Sequence, residues 1–420
     1  MRTVVLSNGM NVLFHPMPNT HSVTVGLYIK CGQYHGESKI GITHLLEHLH
    51  FRQLGNMTQN ELYYKMESIG STLRAVTYKD LLKFSMKTAP CYIEDCIDIF
   101  CSIIDANEWS ESSFLKEKSV VLNQIAEKGD YVSIDQRVRE SVFFNHFMAS
   151  EIMGTAEQVE SITIEDVVEY KNQIFNSSDL LVCVTGNITE TDMQRIENDF
   201  KKCRVSENTN DRKILLPKEF GRRKPKIDFA VINDSSPIEV NLSFDISYEN
   251  VSIDELILLN CILGEGVGSK LQRRIREEKC FSSDICSYVE QYCDYAILHI
   301  LFSVGKCHFI ECLNEVVDVI SDTKFSITKE DLDVSLPFYT VNQMFNEDDT
   351  EEMNYQLAYN KLIFDKPYKP IGCSNNKSTI KKLNTIAKEI FVCNNLCFVA
   401  VGNTSGITKK SVKNILKKLC

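Results

Sequence analysis

Residues 162–187 read ITIEDVVEYKNQIFNSSDLLVCVTGN, and residues 378–403 read STIKKLNTIAKEIFVCNNLCFVAVGN. The two stretches align without a gap at an offset of 216 positions. Thr163 meets Thr379, Ile164 meets Ile380, Ile174-Phe175 meets Ile390-Phe391, and Gly186-Asn187 meets Gly402-Asn403. Each copy has the pattern of a helix, a polar turn and a short buried strand closing on Gly-Asn. A repeat spaced by half the chain predicts two similar domains in tandem, not a solenoid of small units. The polar, charged, Pro-containing stretch around 203–225 suits an exposed join. We therefore expect a first domain over 1–212, a linker over 213–225 and a second domain over 226–420.

Working outward, the chain opens on strands. In SVTVGLYIKCG (22–32), Val23, Val25, Leu27, Ile29 and Cys31 alternate with Thr24, Gly26, Tyr28 and Lys30, the signature of a half-buried strand. The turn residues Ser7-Asn8-Gly9 precede a second strand pattern, MNVLFHPM, which predicts a hairpin. Helical periodicity dominates from about 41 to 148. Strands followed by helices give an α+β class, each domain an antiparallel sheet covered by helices.

Composition excludes several functions. The chain has 420 residues, 43% hydrophobic and 25% charged, ordinary for a globular protein large enough to bury a sizeable core. Its formal net charge of -11 argues against a nucleic-acid partner, because phosphate binding needs a basic face. That balance is compatible with basic peptide substrates, although an acidic surface more commonly serves solubility. The start, MRTVVLSNGM, lacks the apolar core of a secretory signal, and no window approaches a membrane span, so no membrane partner is expected. The 16 cysteines follow no disulfide-scaffold spacing, and the close pairs Cys96/Cys101 and Cys393/Cys397 lack the CxxC form. Most lie in apolar runs and read as small buried hydrophobes, so a reducing cytoplasm is the expected location.

The chemistry is concentrated in GITHLLEHLHF (41–51). On a helix, His44 and His48 lie one turn apart on one face, and Glu47 falls on the same side. Two imidazoles so placed can ligate one metal, and the carboxylate can hold a metal-bound water and take its proton. This is the HxxEH order of the inverted zincins. A histidine on a helix is more often surface or a satisfied core group. Here Ile42, Leu45, Leu46, Leu49 and Phe51 bury the helix, and burying two imidazoles and a carboxylate without partners is costly, so a ligand accounts for them. Moved on by 216, the three positions become Asn260, Leu263 and Gly264, so the second domain carries a similar apolar segment without ligands. Gly-rich GEGVGS (264–269) does not have the form of a phosphate loop.

With these motifs in order, the chain resembles the insulinase/pitrilysin (M16) zinc peptidases along nearly its whole length. The resemblance is carried by LSNGMNVLF, SVTVGLYIKCGQYHGESKIGITHLLEHLHF, MESIGSTLRAVTYKD, EKSVVLNQI and, in the second half, LGEGVGSKLQRRIREEKCFSS. It implies two homologous domains facing each other as a clamshell, Zn2+ held by two His and a Glu, and the helix Glu as general base. Peptides or presequences are the implied substrates. By the same resemblance, Glu117 matches a carboxylate beside the metal, Ala75 lies in a substrate-pairing edge strand, and Arg276 matches an Arg that holds the substrate backbone.

Three positions depart from the pattern. The third metal ligand, a Glu in the family, is Gln124, a neutral and weaker donor. Three readings stand open: a weakened site, a degenerate subunit, or a near-isosteric replacement that silences activity. Glu127 is spaced wrongly to substitute. The Tyr that follows the Arg276 helix in the family is Ser283, and the Asn before Ala75 is Arg74. The incomplete clamp implies a partner, a second M16-like subunit or another copy of the chain. The expected function is zinc-dependent endopeptidase cleavage of leader or precursor peptides by the HxxEH-bearing subunit of a dimer. The alternative is a non-catalytic partner subunit that binds peptide or completes the chamber.

Overall fold

The computed structural model describes residues 1–106, 108–128, 133–144, 146–206, 226–232, 237–247, 251–293, 295–368 and 377–420. The expected linker at 213–225 lies outside the described residues. Contacts divide the chain into two units.

The first unit holds a six-stranded sheet. Its strands are β1 (Arg2–Val5), β2 (Asn11–Pro16), β3 (Val23–Lys30), β4 (Arg74–Thr77), β5 (Leu81–Thr88) and β6 (Leu180–Gly186), in the order β1-β2-β6-β3-β5-β4. The second unit holds a five-stranded sheet of β7 (Lys226–Val231), β8 (Ile238–Ser247), β9 (Ile285–Gln291), β10 (Tyr295–Val304) and β11 (Leu396–Gly402), in the order β9-β10-β8-β11-β7. Without β1, the first sheet has the same order as the second. The duplication read from 162–187 and 378–403 thus extends to topology. Its two copies are a helix over Ile164–Ile174 followed by β6, and a helix over Lys377–Ile390 followed by β11. Both strands end at a glycine of positive φ, +119° at Gly186 and +138° at Gly402, a conformation that excludes side chains.

Both sheets are antiparallel-rich, as expected, and each contains one parallel pair. The last strand of each half inserts between that half's first two strands in this order. It therefore runs antiparallel to one neighbour and parallel to the other, giving the parallel pairs β2/β6 and β7/β11. A parallel pair requires a long connection, which the intervening helices of each half supply.

The two units are not contiguous in sequence. The first unit comprises Met1–Asp130, Ser150–Leu215 and Phe345–Lys369, and the second Tyr131–Ala149, Leu216–Met344 and Pro370–Cys420. Each sheet is overlain by a helix from the other half of the sequence. Helix Thr350–Phe364 lies on β3 and β6, and helix Ile134–Val142 lies on β8 and β11.

This exchange explains why β3 is buried on both faces rather than one. The Thr24 and Tyr28 hydroxyls meet Thr350 Oγ1 at 2.9 Å and Asn354 Oδ1 at 2.7 Å, and Asn354 Nδ2 donates to the Cys183 carbonyl at 2.8 Å. Gly26 is required by the same approach, since a Cβ there would lie 2.2 Å from Asn354 Oδ1. The opposite face of this sheet packs on the unit's core with Ile97, Phe100, Val167 and Ile174.

Among the described residues one pair of cysteines is joined, Cys393 to Cys420. Among the described residues no helix is long and apolar enough to cross a membrane.

Candidate metal centre

The HxxEH segment forms helix α1 (Ile42–Arg52), as the spacing predicts. Ile42, Leu45, Leu46 and Leu49 turn into the core, while His44, Glu47 and His48 share the other, half-buried side. The helix begins at Gly41, whose N–H donates to Glu37 Oε1 at 3.3 Å, while Thr43 Oγ1 donates to Glu37 Oε2 at 2.7 Å. An anion at this helix end satisfies free N–H groups and complements the helix dipole. Burial pushes the Glu37 carboxyl up to about 7, against the hydrogen bonds from Thr43 and Gly41.

The two imidazoles converge. Their ring centroids are 4.6 Å apart, with planes inclined at 62°. Burial, then the neighbouring His48 and Lys128 charges, push His44 down to about 4, so it is a neutral imidazole with a free lone pair at physiological pH. Its Nδ1 is buried without a hydrogen-bond partner. His48 Nδ1 lies 3.2 Å from Glu117 Oε2, and Arg52 Nε donates to Glu117 Oε1. Burial raises the Glu117 carboxyl, but the His48 and Arg52 hydrogen bonds outweigh it and hold the group below the usual range. A carboxylate on Nδ1 fixes the ring and leaves Nε2 to a metal, the ordinary support of a ligating histidine. Glu47 accepts a hydrogen bond from Thr77 Oγ1 in β4; burial raises its pKa, with the Thr77 bond and His48 opposing.

Helix α2 (Glu111–Lys128) packs against α1. Glu117 reaches the C-terminal half of α1, whereas the charge of Lys128 acts on His44 near its start, so the helices run antiparallel. Glu117, Val121, Gln124 and Lys128 follow one another at helical spacing along α2, and Gln124 is half-buried. Among the described residues no three of His, Cys, Asp or Glu form a metal-holding group. The two converging imidazoles are donors of the kind a divalent ion takes. A fourth nearby group, His50, serves the core. It is fully buried among Phe84, Trp109 and Phe175, and burial pushes it down to about 3.

Ala75 lies in β4, an edge strand of the first sheet, with Arg74 exposed beside it. Arg276 belongs to the second unit, on a π-helical turn over Gln272–Glu278, with Nε 3.5 Å from Glu277 Oε1. Ser283 donates to Asp284. The second-unit counterpart of α1, Ile253–Leu263, ends packed against β9: a Cβ on Gly264 would lie 2.5 Å from Ser287 Oγ. Arg52 and Thr77 were not singled out in the sequence. Arg52 stands one turn beyond His48 on the same face, which is a legible signal; Thr77 is brought to Glu47 only by the strand pairing.

The family described as Insulinase (Peptidase family M16) matches residues 11–156, and Peptidase M16 inactive domain matches 161–335. The chain belongs to peptidase family M16. It is similar to an uncharacterized zinc protease, YmxG, of Bacillus subtilis, 22% identical over 91% of this chain and 94% of the relative. It is also similar to the probable mitochondrial-processing peptidase subunit beta of Arabidopsis thaliana, 22% identical over 80% of this chain and 65% of that one. Among solved structures, a protease from Helicobacter pylori matches with a TM-score of 0.81 at 19% identity, over 95% of this chain and 98% of that one.

Proposed function

We propose that the chain is the HxxEH-bearing subunit of a zinc-dependent endopeptidase that processes peptides, working with a second M16-like subunit. The observation that carries this reading is the His44–His48 pair, braced by Glu117 and flanked by Glu47, beneath an edge strand. Relatives named zinc protease and mitochondrial-processing peptidase subunit beta support it.

His44, His48 and Gln124 would hold the ion. When bound, zinc supplies Lewis-acid polarisation of a carbonyl and a lowered pKa for water. Glu47 accepts the proton of the attacking water and returns it to the leaving amine. Its burial raises its proton affinity, which favours that task. The peptide adds as a strand to β4 through main-chain hydrogen bonds, which tolerate varied sequence.

Gln124 and Ser283 favour a second reading, a partner subunit that binds peptide without cleaving it. Cleavage of extended peptides by zinc-supplemented chain, alone and with candidate partner subunits, separates the two. Turnover that vanishes with a chelator and with Glu47→Gln supports the peptidase. Peptide binding without turnover, in Gln124→Glu as well, leaves the partner reading.

A further inference from the structure

We infer that Thr77 is a positioning residue that ties the general base to the strand on which the peptide docks. The inference rests on the peptidase reading and extends it to a residue outside the HxxEH motif.

Strand β4 pairs with β5 along one side, Arg74 opposite Ser85 and Thr77 opposite Leu82, and among the described residues nothing follows it in the sheet. Alternation along the strand separates two faces. Arg74 and Val76 are exposed, whereas Ala75 packs on the hydrophobic core and Thr77 is buried. The Thr77 hydroxyl donates to Glu47 Oε2 across the gap from strand to helix.

A glutamate side chain has three soft torsions, so a half-buried carboxylate needs a partner to hold one geometry. Thr77 supplies that partner from the strand itself, and the bond to one oxygen leaves Oε1 for water. A peptide added to β4 takes its register from the same backbone that carries Thr77. The scissile bond and the base are then placed from one common element. Small misplacement of a catalytic group is expensive, on the order of a hundredfold for about 1 Å.

The test uses the full chain with zinc, in the Gln124→Glu background if needed for turnover. Thr77→Val keeps the β-branched shape and removes the hydroxyl; Thr77→Ser keeps the hydroxyl. Thr77→Val should lower kcat about tenfold or more with KM within about threefold, and Thr77→Ser should recover most of it. Unchanged kcat, or equal loss in both variants, overturns the inference, as does a rise in KM alone.

A second measurement does not depend on turnover. In metal-free protein, Glu47→Leu and Thr77→Val should each speed hydrogen exchange of the Ala75–Tyr78 amides about tenfold, and the double variant should add nothing further. Unaltered exchange, or additive effects, overturns the bridge. Absence of turnover with intact exchange coupling would instead sink the peptidase reading alone.

Discussion

Glu117 Oε2 lies 3.2 Å from His48 Nδ1, so the carboxylate braces that imidazole ring. Its other oxygen is taken by Arg52. Glu117→Gln should weaken zinc binding about 10- to 100-fold, as loss of a carboxylate behind a ligating histidine generally does. Arg52→Met, which leaves the His48 contact in place, should weaken it less. Competition with a chromophoric chelator measures both; equal affinity in wild type and Glu117→Gln would refute the brace.

In the proposed site Gln124 would be the third donor to the ion. Replacing its amide by a carboxylate would supply a charged hard donor there. Gln124→Glu should raise zinc affinity by on the order of tenfold or more, and Gln124→Leu should lower it. Isothermal titration with zinc reads both directions. If all three chains bind alike, position 124 does not face the ion.

Glu37 makes stability depend on pH. Its folded pKa, about 7, lies above its ordinary value of 4.5, so the folded state holds the proton more firmly than the unfolded state. This contribution is fully present below about pH 4.5 and is lost as pH rises through about 7. Relative to wild type, Glu37→Gln should remove that dependence, gaining stability at pH 8 compared with pH 5. Urea melts of both chains across this range check the sign; parallel curves would contradict it.

Asn354 holds the exchanged helix to the first sheet. It donates to the Thr24 and Cys183 carbonyls and accepts from Tyr28, fully buried. Asn354→Leu strands these groups and should cost about 3 kcal/mol of unfolding free energy. Denaturant titration measures it, and a loss under about 1 kcal/mol would show that the polar seam is not a principal tie.

That seam also marks how far the sequence could be read. The repeat at 162–187 and 378–403 disclosed the duplication, because helix period and strand burial are local patterns. The α1 face was legible for the same reason: His44, Glu47 and His48 lie within five residues. The burial of Thr24 and Tyr28 was not, since their partner Asn354 is more than 300 residues away and local alternation reads them as solvent-facing. The β2/β6 parallel pair was hidden likewise, because a strand's neighbours are set by long-range packing. Glu117 was found through a resemblance, whereas its grip on Arg52 required the antiparallel meeting of two helices.

The most direct test is to strip the purified chain of metal and titrate it with zinc, beside His44→Ala and His48→Ala. The account expects one equivalent bound by the unaltered chain and essentially none by either alanine variant. Binding that survives both substitutions, or no binding even in Gln124→Glu, would contradict it.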